Sequence, residues 1–336
     1  MQAQRLSHPA PVDSKPLSLA ALDLPIPGPH EVRLRIHACG LCHTDLHIVE
    51  GDLRLPLLPV TPGHQIVGVV DEIGSGVTRF KIGDRLGVPW LYSTCGKCEY
   101  CTSGRENLCD NARFTGYHAD GGYAEYMVIG EEFAYPIPER FSDIQAAPLL
   151  CAGVIGYRAL RLSGIKSGQR LGLYGFGASA HIALQIALYQ GCEVYVFTRS
   201  KQHQELAAEL GASWTGRAED KAPHPVESSI IFAPAGQLVP LALRALKKGG
   251  TVALAGIHMS PLPEMEYALL YEERTLRSVA NSTRDDVREM LEIAAEIPIR
   301  TEVETFALEE TNEALRKLKR SEIRGSGVVR VIARDG

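Results

Sequence analysis

The sequence predicts an α/β protein with two domains, a mostly β domain and a doubly wound parallel sheet. The chain has 336 residues. A chain of this length is usually too long for a single hydrophobic core and divides into domains. Before Pro148, short β-branched runs alternate with glycine and proline, whereas afterwards apolar strands alternate with helical stretches. The change of pattern predicts where one domain gives way to the other.

The first half supplies the strands of the β domain. The runs EVRLRIHACG, QIVGVVDEIG, RLGVPW and GYAEYMVIG are rich in apolar and β-branched residues and are separated by turn residues. We expect them to form a mostly antiparallel sheet with long loops.

The second domain follows a helical connection, QAAPLLCAGVIGYRALRLSG. In QRLGLYGFGASAHIALQIALYQGCEVYVFTRS, a strand, a glycine turn, a helix-period stretch and another strand succeed one another, which is typical of a βαβ unit. SSIIFAPAG, TVALAGIHM and TLRSVANS continue the alternation, and the tail from residue 301 predicts a strand, an amphipathic helix and a strand.

The composition favours a small-molecule ligand. The net charge of -5 comes from scattered acids and bases without a basic stripe, which argues against a nucleic acid or an anionic membrane as partner. No apolar run reaches the about 18 residues of a membrane span, and the N-terminus lacks an apolar signal core. We therefore expect a cytoplasmic protein, whose 8 cysteines are metal ligands or buried thiols rather than disulfides.

A compact loop, CGKCEYCTSGRENLC, predicts a structural metal site. Four thiolates can close a tetrahedron around Zn²⁺ and leave no position for a substrate. An iron–sulfur cluster is the alternative metal, and disulfides or idle thiols are the alternative without a metal. The candidate ligands are Cys95, Cys98, Cys101 and Cys109.

A second set of metal-ligating residue types lies in GLCHTDLHIVEGD, TPGHQIVG and APLLCAG. A catalytic zinc keeps three protein ligands and one open position. Cys42 and His64 are candidates on two loops, and Cys151 belongs to the right chemical class. Spacing alone does not bring Cys151 to the others, and a single cysteine is more often a buried packing residue.

The glycine turn GLYGFGASAH follows a predicted strand and opens a helix, the context of a dinucleotide-binding fingerprint. Gly175 permits the tight turn, and Gly177 lets the backbone approach a pyrophosphate at the helix N-terminus. The candidate cofactor contacts are Gly175, Phe176, Gly177 and Ala178.

The end of the next strand, VYVFTRSK, lacks the acid with which an NAD site usually binds the ribose. It offers Thr198, Arg199 and Ser200 instead. A guanidinium can bind phosphate through two hydrogen bonds, so Arg199 favours NADP(H) over NAD(H). The alternative is a solvent-facing arginine after a strand.

GLCHTDLH, TPGH, the four-cysteine loop, CAGVIGY and GFGASA, in this order, resemble the zinc-dependent alcohol dehydrogenases of the medium-chain dehydrogenase/reductase family over nearly the whole chain. The resemblance implies a GroES-like catalytic domain of residues 1–152 and 296–336, which carries both zinc sites. It also implies a Rossmann cofactor domain of residues 153–295, an active site in the cleft, and a homodimer or homotetramer.

The same resemblance implies a catalytic zinc on Cys42, His64 and Cys151 and a structural zinc on the four-cysteine loop. Thr44 matches the hydroxyl that binds the substrate oxygen, and His47 the end of its proton relay. The other implied roles are a carboxylate orienting the histidine ligand at Asp45, cofactor pyrophosphate contacts at His43 and Arg324, and an apolar substrate wall at Leu53 and Trp90.

One position departs from the family pattern. The family usually reads Gly-His-Glu, whereas this chain has Gln65 after His64. Glutamine keeps the volume of the acid but removes its charge, so the surroundings of the zinc should be more positive.

We expect an alcohol dehydrogenase or aldehyde reductase that transfers a hydride between a primary or secondary alcohol and a nicotinamide cofactor. A polyol or amino-alcohol dehydrogenase of the same family is an alternative, although such relatives commonly have a carboxylate ligand where this chain has Cys151. A zinc-ribbon binding module would need a basic face near the four cysteines, but Lys97 and Arg105 are offset by nearby acids. A dinucleotide-binding redox sensor without turnover is a further alternative.

Overall fold

The computed structural model describes residues 1–332. The strands are β1 Gln2–Leu6, β2 Leu17–Ala21, β3 Glu31–Leu41, β4 Gln65–Ile73, β5 Arg85–Val88, β6 Leu91–Ser93, β7 Arg113–Phe114, β8 Tyr126–Gly130, β9 Tyr135–Pro136, β10 Arg170–Tyr174, β11 Glu193–Phe197, β12 Trp214–Gly216, β13 Val226–Ile231, β14 Leu246–Leu254, β15 Thr275–Ser278, β16 Val303–Ala307 and β17 Ser326–Arg330. The helices are α1 His43–Glu50, α2 Glu99–Thr102, α3 Asp143–Ala146, α4 Ala152–Ser163, α5 Ala178–Tyr189, α6 Lys201–Glu209, α7 Leu238–Ala245, α8 Ala268–Tyr271, α9 Arg284–Glu296 and α10 Thr311–Lys319.

One compact unit contains residues 1–151, 282–296 and the tail from Thr301. Its large sheet has the order β16-β17-β3-β4-β5-β9, and β8 also pairs with β3. The β16–β17 pair is parallel, whereas β3 pairs antiparallel with β17, β4 and β8. This is the mostly antiparallel sheet that the β-branched runs predict.

Strand β3 shows why this sheet forms and where it leads. Val32, Leu34 and Ile36 are fully buried, whereas Arg33 and Arg35 between them are partly exposed. Alternation of this kind buries one face of a sheet against a core. From residue 37 to its end every residue of β3 is buried, so the strand carries the chain into the interior just before α1.

The other compact unit contains residues 152–281 and 297–300. Its sheet has the order β12-β11-β10-β13-β14-β15, and every neighbouring pair is parallel. Counted from β10, this is the doubly wound order in which the chain reverses its direction of winding between β10 and β13. Ligands bind such sheets at the carboxyl ends of the strands beside that reversal.

The predicted α/β class is confirmed. The hairpin of β1 and β2 and the short strand β12 were not predicted, because QAQRL lacks an apolar pattern and three residues carry little periodicity. The predicted domain limits stay a prediction, and the compact units are divided at other positions. The first segment of the first unit ends at Cys151. Helix α9 lies in the first unit rather than with residues 153–281, and Arg284 at its start binds the buried carboxylate of Glu106.

Candidate functional site

Cys42, His64 and Cys151 lie together in the first unit, and we call this cluster the three-donor site. Cys42 follows β3 and is the N-cap of α1, while His64 directly precedes β4. Cys42 Sγ lies 3.3 Å from His64 Nε2 and 3.9 Å from Cys151 Sγ. All the donor atoms lie within 4.8 Å of one another.

The spacing of the three donors fits a tetrahedral zinc. Zinc bonds of about 2.3 Å to sulfur and about 2.0 Å to nitrogen give donor separations of about 3.8 Å for two sulfurs and about 3.5 Å for sulfur and nitrogen. The observed separations of 3.9 Å and 3.3 Å are close to these values. Three donors leave the fourth vertex of the tetrahedron for another ligand.

The charges at the three-donor site also favour a cation. A hydrogen bond from Cys151 holds the pKa of Cys42 well below its usual range, and the charge of His64 lowers it further against the effect of burial. Burial lowers the pKa of His64, but the negative charges of Asp45 and Cys42 outweigh it and raise that pKa to about 10. The cluster thus stabilises a thiolate, the form that binds zinc, beside a positive charge.

Asp45 holds the histidine donor in place. Its Oδ1 atom lies 2.9 Å from Nδ1 of His64 and accepts the backbone N–H of Gly63 at 3.2 Å, while Oδ2 accepts the N–H of Cys42 at 2.9 Å. Asp45 and His64 are both fully buried. A carboxylate that accepts the Nδ1 proton leaves the Nε2 lone pair to face a metal.

Replacing Asp45 with asparagine is expected to lower the zinc affinity of the three-donor site by roughly 10- to 100-fold. The amide keeps the volume of the carboxylate, but its NH2 group cannot accept a hydrogen bond, so one of the donors facing it loses its acceptor. Competition with a metallochromic chelator measures the affinity. Asp71→Asn is the control, since Asp71 pairs with Arg33 instead. Equal zinc affinity in Asp45→Asn and the unchanged protein would remove Asp45 from the metal site.

Helix α1 carries two further predicted residues. Thr44 is buried, and its N–H donates to Cys42 Sγ at 3.3 Å. His47 is also buried, and its Nδ1 lies 2.8 Å from Oδ2 of Asp52. Asp52 was not predicted; it reaches His47 because Gly51 ends the helix with a φ of 83° and turns the chain back.

His43 and the predicted substrate wall lie around the same loops. His43 is exposed, and its ring centre lies 6.4 Å from that of His47. Trp90 is buried, and its ring meets the ring of His64 edge to face at 4.9 Å. It stacks on Phe114 at 5.1 Å, an aromatic contact that was not predicted. Leu53 is half-buried and packs on the hydrophobic core of the first unit.

Gln65 occupies the position that departs from the family pattern. Gln65 is 1% exposed, and its side chain lies against Gly40 on β3. A Cβ atom added to Gly40 would lie only 2.9 Å from the side-chain amide carbon of Gln65. Within residues 1–332, its Nε2 atom has no hydrogen-bond partner. A buried, neutral amide therefore stands next to His64.

Cys95, Cys98, Cys101 and Cys109 form the second cluster, the four-cysteine site. Its sulfurs lie within 4.8 Å of one another, with Sγ separations of 3.6 Å for Cys98–Cys101 and 3.9 Å for Cys95–Cys101. The backbone N–H groups of Lys97 and Cys98 lower the pKa of Cys95 to about 6. Four sulfurs at these distances can fill all four vertices around zinc, which suits a structural metal.

The glycine turn lies at the carboxyl end of β10 in the second unit. Gly175 has a φ of 84°, and a Cβ there would lie 2.9 Å from the Cβ of Ala233, so both the conformation and the space require glycine. Phe176 is buried, Gly177 is the N-cap of α5 with open space beside it, and Ala178 begins the helix. The first N–H groups of α5 have no acceptors within the helix, which favours an anion.

The segment after β11 lies at the same edge of the sheet, since Tyr174 pairs with Phe197 in the parallel register. Thr198 is buried, Arg199 is exposed, and Ser200 caps α6 by accepting the N–H of His203 at 3.4 Å. The structure thus brings the residues after β11 to the edge that carries the glycine turn. Arg324, half-buried before β17, belongs to the first unit.

In the part of the chain that the structure describes, no helix combines the length and the apolar character needed to cross a membrane.

Comparisons with known proteins relate both units to one family. Residues 28–139 match the model of the alcohol dehydrogenase GroES-like domain, and residues 180–296 match that of the zinc-binding dehydrogenase. A probable alcohol dehydrogenase of Mycobacterium tuberculosis is 45% identical over 335 residues, 98% of this chain and 97% of that protein. An alcohol dehydrogenase of Geobacillus stearothermophilus is 39% identical over 94% of this chain and 96% of its own length.

Solved structures give the same relationship. A cinnamyl alcohol dehydrogenase of Sorghum bicolor superposes with a TM-score of 0.90 at 28% identity and covers 99% of each chain. The structure of an NAD-dependent alcohol dehydrogenase superposes with a TM-score of 0.91 at 26% identity, over 99% of this chain and all of that one.

Proposed function

The chain belongs to the zinc-dependent alcohol dehydrogenases of the medium-chain dehydrogenase/reductase family, and we propose that it acts as an oxidoreductase on small alcohols. It interconverts a primary or secondary alcohol and the corresponding aldehyde or ketone with a nicotinamide dinucleotide. The observation that carries this proposal is the three-donor site, where Cys42, His64 and Cys151 lie within 4.8 Å of one another. Their residue types and their open fourth vertex suit a catalytic zinc rather than a structural one.

Two zinc ions per chain follow from the two clusters. The three-donor site holds the catalytic zinc, and the four-cysteine site holds the structural zinc, whose thiolates fix the loop of residues 95–109. The cysteines are free thiols in the structure. Because thiolate sites of this kind need reducing surroundings until they are loaded, we propose that the protein works in the cytoplasm.

The side chains around the three-donor site suggest how the proton moves. A metal held by Cys42, His64 and Cys151 would supply Lewis acidity toward an alcohol oxygen, and a nicotinamide dinucleotide held by the second unit would supply hydride-transfer chemistry. Thr44, buried next to Cys42, would hold the proton of the substrate oxygen through its hydroxyl. His47 would exchange that proton with solvent, because imidazole suits proton transfer near neutral pH, and Asp52 would hold the ring in place through its contact with Nδ1.

Trp90 and Leu53 would form the apolar wall for the substrate. Trp90 is fixed by its contacts with His64 and Phe114, so its ring holds one orientation beside the metal donors. A rigid apolar wall favours substrates with an apolar chain or ring over strongly hydrated polyols.

The second unit would bind the dinucleotide. Residues Gly175–Ala178 suit the pyrophosphate, because the turn is open on the side of Gly177 and leads into the N-terminus of α5. Arg199 is exposed at the same sheet edge, where no acid follows β11 before α6. We therefore propose a preference for NADP(H) over NAD(H), and we assign pyrophosphate contacts to His43 and Arg324 from the family pattern.

Arg199→Ala is expected to lower the preference for NADP(H) over NAD(H) by roughly 10- to 100-fold. This is the effect expected from losing charge-assisted hydrogen bonds to a phosphate. The ratio of kcat/KM for the two cofactors measures this change. Lys248→Ala is the matched control, since Lys248 is an exposed cation near the amino end of β14 in the same sheet. A cofactor ratio that stays the same in Arg199→Ala would assign the 2'-phosphate to another group.

The exposed edge of the second unit supports a homodimer or homotetramer. In the described sheet β15 is an edge strand, and Thr275, Arg277 and Ser278 on it are exposed. Tyr267 and Tyr271 nearby in sequence are 73% and 70% exposed. An exposed edge strand offers unpaired backbone groups to a second chain. Analytical ultracentrifugation measures the number of chains.

The experiment that tests the proposed function combines metal analysis with a substrate panel. Primary and secondary alcohols, polyols, amino alcohols and aldehydes are assayed with NAD(H) and NADP(H) at the absorbance of the reduced cofactor. We expect two zinc ions per chain and turnover that is fastest with apolar alcohols and aldehydes. Turnover restricted to polyols or amino alcohols would favour the alternative substrate class, and no turnover with any substrate would contradict the proposal.

A further inference from the structure

The third donor of the three-donor site reaches it by a different route from the other two. Cys42 follows β3 and His64 precedes β4, and the antiparallel register pairs Gly40, two residues before Cys42, with Gln65, directly after His64. Backbone hydrogen bonds of the sheet therefore fix the distance between these two donors. Cys151 follows the 3-10 turn Ala147–Leu150 and lies in no strand, so side-chain contacts of the preceding segment must hold it.

A buried carboxylate anchors the start of that segment. Asp143, the first residue of α3, has its Oδ2 atom 2.9 Å from Nδ1 of His37, and its Oδ1 atom accepts the Nε–H of Arg85 at 2.5 Å. His37 lies on β3 and Arg85 on β5, so one side chain joins α3 to two strands. Burial raises the pKa of Asp143, but His37 and Arg85 outweigh it and hold that pKa below its usual value.

The contacts of this carboxylate are protected from water. The side chains of Asp143 and His37 are 10% and 4% exposed, and Arg85 also donates to the backbone oxygen of Phe141 at 2.7 Å. Charge-assisted hydrogen bonds of this kind are stronger and more directional than neutral ones. Loss of the carboxylate would leave the half-buried guanidinium of Arg85 and the buried imidazole of His37 without their common partner.

The segment between α3 and Cys151 is packed along its length. Leu150 is 1% exposed and packs directly on Gly87 of β5. The contact is so close that a Cβ atom added to Gly87 would lie 2.7 Å from Cδ2 of Leu150. The hydroxyl of Thr301 donates to the backbone oxygen of Gln145 at 3.0 Å. A close-packed segment has few voids to absorb a movement, so a shift at α3 is transmitted to Cys151.

We propose that Asp143, bound to His37 and Arg85, is a positioning residue that holds Cys151 at bonding distance from the metal of the three-donor site. The inference rests on the proposed function in one respect, that this site binds a metal ion. Asp143 is not one of the three donors of the site. Without it, α3 is no longer tied to β3 and β5, and the thiolate of Cys151 moves away from the other two donors.

The test is the absorption spectrum of the whole chain loaded with Co²⁺, which replaces zinc and gives a charge-transfer band for each bound thiolate. The difference between the unchanged protein and Cys151→Ser isolates the contribution of Cys151. We expect Asp143→Ala to lose roughly half or more of this difference. We also expect it to release the metal of the three-donor site to a chelator roughly tenfold faster or more, while the four-cysteine site keeps its metal.

Two further variants separate positioning from general stability. Glu131→Ala is the matched control, because Glu131 is a buried carboxylate of the same unit that accepts the N–H groups of Thr78 and Arg79. It is expected to lower the melting temperature and leave the cobalt spectrum unchanged. Asp143→Asn keeps the shape and one acceptor and is expected to show a smaller spectral loss than Asp143→Ala; it takes the place of that variant if Asp143→Ala does not fold.

The outcomes are distinct. If both Asp143 variants keep the unchanged spectrum and release rate, or if Glu131→Ala changes them equally, Asp143 has no positioning role. If the unchanged protein and Cys151→Ser give the same spectrum, the three-donor site itself, and with it the proposed function, is wrong.

Discussion

Replacing Cys151 with serine is expected to lower kcat by roughly a thousandfold or more while the protein still folds. The serine hydroxyl is a weak ligand for zinc compared with a thiolate, so the site loses one of its three donors. A catalytic metal supplies several kcal/mol of transition-state stabilisation, and each about 1.4 kcal/mol changes the rate tenfold. Steady-state kinetics with a primary alcohol, together with metal content, measures the effect.

The control for this prediction is Cys192→Ser. Cys192 is a free cysteine as well, but it is buried in the second unit and contacts the backbone oxygen of Lys166 rather than a metal-ligating group. We expect Cys192→Ser to keep kcat and both metals. If Cys151→Ser retained turnover within a few-fold of the unchanged protein, Cys151 would not be a ligand of the catalytic metal.

Replacing Cys98 with serine is expected to act on stability rather than on chemistry. Cys98 is one of four thiols that can close a metal site without an open position, and closed zinc sites contribute folding free energy directly. We expect the melting temperature to fall by roughly 10 °C and one metal per chain to be lost. At a temperature where the variant is folded, kcat should stay within a few-fold of the unchanged value.

Calorimetry and metal analysis of Cys98→Ser measure these quantities, and Ser103→Ala in the same loop serves as the control. Ser103 has an exposed hydroxyl and is no metal ligand, so its replacement should leave the melting temperature and the metal content unchanged. If Cys98→Ser and Cys151→Ser lost folding and turnover alike, the division into a structural and a catalytic site would be wrong.

Features that depend on residues close in sequence could be predicted from the sequence. The four-cysteine loop closes on itself within a few turns, and the glycine turn between β10 and α5 needs only a strand, a positive φ at Gly175 and a helix. The alternation of β3 and the buried apolar run of β10 in the parallel sheet also follow from local patterns. These are the parts of the fold that periodicity and turn chemistry determine.

The convergence of the three-donor site is not a local property. No spacing rule brings Cys151 to Cys42 and His64, and only the resemblance to a known family predicted it. In the structure, the register of β3 and β4 aligns two donors, whereas the third depends on the buried contacts of Asp143. Such contacts join distant segments, so their signal is missing from any single stretch of sequence.

Two further differences have the same origin. Asp52 contacts His47 because Gly51 reverses the chain after α1. From sequence alone, an acid near the end of a helix is usually interpreted as a solvated surface residue. Helix α9 follows the strands of the second unit in sequence, yet it belongs to the first unit. Its start is bound to Glu106 in the 3-10 turn that precedes Cys109, a contact that sequence order does not reveal.

X-ray diffraction measured on both sides of the zinc absorption edge would show whether Cys42, His64 and Cys151 bind one zinc ion. We expect an anomalous peak at about 2.0–2.3 Å from Cys42 Sγ, His64 Nε2 and Cys151 Sγ, and a separate peak at the four-cysteine site. A zinc-replete crystal with a peak only at the four cysteines would contradict the claim that these three side chains hold the metal that activates the substrate.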